Sequence, residues 1–186
     1  THQGVLWGSQ TALQTVKDQG HFFNASDSRY RLNPTGPQHA EIAALAGITE
    51  YFDLLYKHHF GSSSENLHSR TRKTFALIAE HETNLANKLL VYLKERQDVR
   101  LIGRDHADPG VRASTIAFHI NGIPSATVEK RLAEMGIAVG SGNFYAPRCL
   151  EALGIDPGDG VVRVSMVHYN TVGEVEKLQE ALDDIV

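Results

Sequence analysis

The sequence has 186 residues, 41% hydrophobic and 22% charged, which is enough apolar material for a packed core and excludes a disordered or low-complexity chain. Lysine and arginine number 18 against 22 acidic residues, a formal charge of −4 without long like-charge blocks, which removes the electrostatic footprint of a nucleic-acid binder and disfavours anionic membranes. A single cysteine, Cys149, excludes an internal disulfide framework, and no apolar run approaches the roughly 20 residues of a membrane span, so a soluble protein in a reducing, cytoplasmic setting is expected.

Thr1-His2-Gln3-Gly4-Val5-Leu6-Trp7-Gly8 reads as a turn entering a short buried strand at Val5–Trp7. That is mid-domain material, so the chain is expected to be a piece of something longer. Ser9 is placed to cap a helix through about Lys17, with Leu13 and Val16 on its buried face. His21 to Gln38 is rich in Asn, Ser, Asp, Pro and Gly and reads as a loop. From His39 to His58 the apolar residues recur at a helical period on both sides of the cylinder, which predicts a helix buried on more than one face. Leu67 to Arg96 is the longest helical stretch, with an apolar stripe through Phe75, Ile78, Leu85, Leu89, Leu90 and Leu93. At 1.5 Å per residue it would run about 40 Å, long enough to bridge two lobes.

Beyond residue 97 the pattern changes. Val99–Leu101 and Ser114–Ile120 read as strands, and Ser125 as the cap of a helix to Met135 closed by Gly136. Ile137–Val139 reads as a buried strand, Gly140 to Pro147 as a loop, Cys149–Leu153 as a short helix and Val161–Val167 as a strand. Thr171-x-x-Glu174 is a capping box opening a helix with Val175, Leu178, Leu182 and Ile185 on one face. The order β-β-α-β-α-β-α predicts an α+β sandwich with helices on one face of a small sheet.

Ten histidines invite a metal reading, but no HxxxH or CxxC spacing occurs, so no metal site is expected. No glycine-rich phosphate loop is present either. Two segments stand out. Arg163 interrupts the apolar run Val161–Val167, where a guanidinium needs either an internal acid or a ligand carboxylate gripped through two parallel hydrogen bonds. Leu32-Asn33-Pro34-Thr35-Gly36-Pro37-Gln38-His39 sets a hydroxyl and free N–H groups before a helix, either a plain cap turn or an anion site.

Arg163-x-Ser165-x-x-His168-Tyr169-Asn170-Thr171-x-x-Glu174, following Gly136-Ile137-Ala138-Val139, resembles the C-terminal domain of the class V aminotransferase superfamily, the fold type I pyridoxal-phosphate enzymes that include cysteine desulfurases. Thr1-His2-Gln3-Gly4-Val5-Leu6-Trp7 is similar to the segment after the family's Schiff-base lysine, and Pro34-Thr35-Gly36-Pro37 to the loop that reaches the neighbouring subunit's cofactor phosphate. The resemblance implies a mixed α+β (α/β) fold: residues 1–60 are the remnant of a large cofactor-binding domain, 61–96 a connecting helix and 97–186 the small C-terminal domain. It implies a homodimer with a shared cofactor site, an amino-acid substrate, and a catalytic lysine a few positions before Thr1. It makes Arg163 the substrate-carboxylate residue, puts Asn143 and Tyr145 near the substrate side chain, and points His2, Asn33, Thr35 and Gly36 toward pyridoxal phosphate. One desulfurase group carries an arginine and a persulfide cysteine where this sequence has Gly140 and Tyr145, with Cys149 four residues beyond. Desulfuration is therefore not expected; transamination, elimination or epimerisation remain. The alternative from another class is a noncatalytic α+β interaction module.

Overall fold

A computed structural model describes residues 4–25, 27–32, 38–62 and 64–185. His2, Asn33, Thr35 and Gly36 lie outside the described residues. The chain divides into two compact units, Thr1–Thr71 and Arg72–Val186.

In the first unit, residues 4–9 have no regular structure, and Val5, Leu6 and Trp7 are exposed. The expected strand at Val5–Trp7 is not formed: a strand needs a neighbour for its N–H and C=O groups, and none pairs with it among the described residues. Helix α1 (Gln10–Thr15) is capped as expected, Ser9 Oγ accepting from Ala12 N at 3.2 Å, but it stops before Lys17 because Val16 is already extended. Two single-turn 3-10 helices, Phe22–Asn24 and Ser28–Tyr30, follow in the region read as loop. At the second, the Arg29 side chain and backbone N–H bind Asp27 and lower its pKa to about 2. Helix α2 (His39–Phe60) ends at Gly61, whose φ of 76° suits a residue without a Cβ. Its burial departs from the expectation. Only Tyr56 is buried, while Ile42, Ile48, Tyr51, Leu54 and Phe60 stay exposed, because the two-sided apolar pattern finds no cover among the described residues.

Helix α3 (Leu67–Glu95) runs from the first unit into the second. Leu85, Ala86, Leu89, Leu90 and Leu93 recur at i, i+4 and i+8 spacing and are buried, whereas Phe75 is exposed. Then come β1 (Val99–Ile102), β2 (Thr115–Ile120), α4 (Ser125–Glu134), β3 (Gly140–Gly142), α5 (Pro147–Ala152), β4 (Val161–Ser165) and α6 (Val172–Asp183), the β-β-α-β-α-β-α order read from the sequence. The four strands form one antiparallel sheet in the order β1-β2-β4-β3.

Alternation along the strands separates two faces. Ile116, Phe118, Ile120, Val162 and Val164 join Leu89, Leu93, Val128, Leu132, Val175 and Leu182 in the main core. On the other face, Leu150 of α5, Ile155 and Val161 form a small second cluster, with Ile102, Ala117 and Phe144 packed against it. Several boundaries differ from expectation: β4 ends at Ser165 rather than Val167, and α5 is Pro147–Ala152 rather than Cys149–Leu153. Strand β3 is Gly140–Gly142 rather than Ile137–Val139, set by its pairing with β4 (Gly140↔Arg163, Gly142↔Val161) and not by side-chain pattern. Pro124, not Ser125, is the N-cap of α4; the Ser125 N–H instead donates to Asp159 Oδ1 at 2.8 Å, so a remote carboxylate serves this helix end.

At α6 the capping box is complete: Glu174 N donates to Thr171 Oγ1 at 3.2 Å, and Thr171 N to Glu174 Oε2 at 2.7 Å. That backbone bond holds the Glu174 pKa below its ordinary 4.5. The folded value lies under the unfolded one, so the contribution to stability is present above the ordinary glutamate range and disappears as pH falls through the lowered value. Replacing Glu174 by Gln is expected to flatten this part of the acid limb of a melting-temperature profile. An unchanged limb would mean that the carboxylate does not cap the helix in solution.

Candidate site on the open face of the sheet

Strand β4 reads Val-Val-Arg-Val-Ser, and the alternation sends Arg163 and Ser165 to the face opposite the helix-covered core. Arg163 is exposed, and among the described residues no carboxylate stands within ion-pair distance of it and no hydrogen bond holds it. An internal salt bridge does not account for its presence. Its neighbours in register are Ala117 on β2 and Gly140 on β3, two positions with little or no side chain, so space is left around the guanidinium.

One aromatic ring fills part of that space. The guanidinium carbon of Arg163 lies 3.8 Å from the centroid of Phe144, van der Waals contact for a cation over a ring face. Phe144 follows β3 in a turn closed by Ala146 N donating to Asn143 O at 2.8 Å. Its two central residues, Phe144 (φ 48°) and Tyr145 (φ 61°), are both left-handed, a region that costs bulky residues about 1–2 kcal/mol each. Strain of this kind collects where a loop aims side chains for function. Here it turns Phe144 inward and leaves Tyr145 fully in solvent.

The other loop residues anchor the turn. Asn143 accepts the Tyr145 N–H at 3.1 Å through Oδ1 and donates to Pro157 O at 3.4 Å through Nδ2, so the amide expected to face a substrate is engaged with its own loop. Ser141 donates to Glu129 of α4, which tethers β3 to the helix layer. Gly160, buried just before β4, passes so close to Gly142 that it has no room for a Cβ. Cys149 is exposed on α5. Asn170 accepts from Val167 N at 2.8 Å and its own carbonyl lies 2.8 Å from His81 Nε2, so the Asn170-Thr171 run shapes the β4–α6 turn.

Two other features stand apart from Arg163. Asp159 lies 3.1 Å from His119 Nε2 and near the Ser125 hydroxyl, but the carboxylate sits between the other two, so no imidazole is placed to take a proton from serine. A cavity of about 300 Å³ lies between Gly136–Val139 and α6, lined by Val164, Met166, Glu174 and Lys177 but not by Arg163. Among the described residues no group of three or more His, Cys, Asp or Glu could hold a metal ion, and no helix is long and apolar enough to cross a membrane.

The sequence reading pointed to Arg163, Asn143 and Tyr145. The structure brings Arg163 and the 143–145 turn to the same face of the sheet, and adds Phe144 and Gly140, which that reading did not place in the site. The available signal was an aromatic pair directly after Gly-Ser-Gly-Asn, a run otherwise built for close backbone packing.

The family model described as aminotransferase class-V matches residues 4–178. The chain is 31% identical over 187 residues to the aminotransferase-like protein FGM3 of Gibberella zeae, covering 100% of this chain and 43% of that protein. It is 34% identical over 188 residues to a probable cysteine desulfurase of Pseudomonas putida, covering 97% of this chain and 41% of that one. It thus spans about two fifths of the length of these curated relatives. Among solved structures, the cysteine desulfurase CsdA of Escherichia coli matches with a TM-score of 0.61 at 22% identity, covering 83% of this chain and 32% of that one, a likeness of fold. A cysteine desulfurase from Thermococcus onnurineus matches with a TM-score of 0.55 at 26% identity, covering 64% and 28% respectively.

Proposed function

The chain belongs to the aminotransferase class-V family, and on that premise we propose that it is the substrate-carboxylate-binding part of a pyridoxal-phosphate enzyme acting on an amino acid. The observation that carries the reading is Arg163: a guanidinium on an open sheet face, without an acidic partner among the described residues and with near-vacant register neighbours. A planar fork of N–H donors in that setting matches a carboxylate, which accepts two parallel hydrogen bonds from it. Bound pyridoxal phosphate supplies the electron sink for bonds at the amino acid's α-carbon. This chain holds the carboxylate, and the turn carrying Phe144 and Tyr145 borders the place where the substrate side chain would extend.

The assignments of His2, Asn33, Thr35 and Gly36 toward the cofactor rest on the sequence resemblance, as do the imine-forming lysine ahead of Thr1 and the division at residues 60 and 96. A homodimer in which the Asn33–Gln38 loop serves the other subunit, in the cytoplasm, belongs to the same proposal. Tyr145 stands where a persulfide cysteine would be, and Cys149 lies on α5 beyond the turn, so we assign transamination, elimination or epimerisation ahead of desulfuration.

Arg163→Lys in the full-length protein tests the reading. A charged bidentate contact contributes about 1.5–3 kcal/mol, and an ammonium cannot present the fork, so amino-acid affinity is expected to fall roughly ten- to a hundredfold with the melting temperature nearly unchanged. A variant that melts early yet binds amino acid normally removes Arg163 from the site.

A further inference from the structure

We infer that Phe144 is the positioning residue of Arg163 and sets how strongly the site prefers a carboxylate over its uncharged isostere. This deepens the proposed role of Arg163 and rests on it.

An exposed arginine carries about 2 kcal/mol of rotamer entropy, which a ligand must remove if nothing else has done so. Among the described residues no hydrogen bond or ion pair holds the Arg163 side chain; the guanidinium instead lies over the Phe144 ring, 3.8 Å from its centroid. A ring face engages the face of a guanidinium and leaves the N–H groups on its rim free, whereas an acidic partner would consume them. Phe144 therefore orders the cation without competing for its donors.

The surrounding backbone is arranged to keep the ring there. Phe144 itself adopts φ 48°, and a Cβ on Gly140 would come within 3.2 Å of two of its ring atoms. Glycine at 140 is thus what lets the ring lie against the strand beside Arg163. Phe144 also packs against the Leu150, Ile155 and Val161 cluster, which helps hold the ring in place. A second cationic side chain at position 140 would meet the ring, so the loop provides one oriented guanidinium backed by an aromatic plate.

The test compares propionate with propionamide, a pair of similar size that lacks an amino group and differs in the charged carboxylate. Dissociation constants are measured by ligand-observed NMR titration of the full-length protein and of Phe144→Leu, Phe144→Trp and Arg163→Gln. Wild type is expected to prefer propionate, and Arg163→Gln to lose that preference. Phe144→Leu keeps an apolar side chain against Leu150 but removes the ring face, and is expected to lower the preference roughly two- to fivefold, with Phe144→Trp restoring it. A wild-type preference in Phe144→Leu, or equal weakening of both ligands, overturns the positioning role while leaving Arg163 in place. Absence of a preference in wild type, or its persistence in Arg163→Gln, overturns the carboxylate reading and the inference with it.

Discussion

Gly160→Ala is expected to destabilise the protein by about 3 kcal/mol or more, the largest loss from a single methyl group in the Arg72–Val186 unit. Two costs combine. The residue is left-handed, with φ 73°, where an L side chain costs about 1–2 kcal/mol. A Cβ there would also stand 2.2 Å from the Gly142 carbonyl carbon and 2.3 Å from its oxygen. Those atoms belong to β3, which is hydrogen-bonded to β4, so no side chain can rotate away and the strand itself must move. Gly122→Ala is the matched control: φ is 81°, yet nothing lies within 4 Å of its added Cβ, so only the backbone cost of about 1 kcal/mol applies. Urea midpoints of the two variants should therefore differ clearly. Equal midpoints would mean that β3 does not run beside residue 160.

Asn87→Leu carries the second large effect. Asn87 sits on α3 and binds the buried backbone of Ala107 in both senses: Ala107 N donates to Oδ1 at 2.8 Å, and Nδ2 donates to Ala107 O at 2.7 Å. The side-chain amide thus imitates a neighbouring strand and fastens the β1–β2 connection to the helix. Leucine has nearly the same shape but leaves one buried donor and one buried acceptor without partners, at about 1–3 kcal/mol each. A loss of about 2–5 kcal/mol is expected, read as a shift in urea midpoint. Asn87→Asp retains the acceptor and loses the donor, and should fall between. If the leucine variant is as stable as wild type, Ala107 is not buried in solution.

Where a segment's structure is decided by its own residues, the sequence already displayed it. The capping box at Thr171 and Glu174, the apolar spacing of Leu85, Leu89 and Leu93, and the order of strands and helices after residue 97 are all local patterns, and all three are found. Strand β3 is Gly-Ser-Gly, without any side-chain alternation, and exists because β4 lies beside it; the reading therefore settled on the more apolar Ile137–Val139. Arg163 was visible as a charge among valines, but its exposure was not. Val161 is buried beneath α5 with Leu150 and Ile155, which makes that end of β4 apolar on both faces and hides the alternation that frees Arg163. The Phe144 contact was invisible for a related reason: it depends on two consecutive left-handed aromatic residues, a conformation that their side chains oppose. Helix α2 reverses the case, since its apolar pattern is plain and its cover is absent among the described residues.

The alternation of β4 also bears on how the sheet is assembled. Side chains along a strand change face at every step, so a slip of one residue against β2 would exchange the roles of Arg163 and its flanking valines. Val162 and Val164 would be lifted into water, and the guanidinium would be driven among Phe118, Ile116 and Leu132 with no acid to meet it, at a cost of several kcal/mol. No such penalty would arise if position 163 held another valine. The cation that we propose for a ligand thus also acts as an alignment check while the sheet forms, rejecting one-residue slips that an all-valine strand would tolerate.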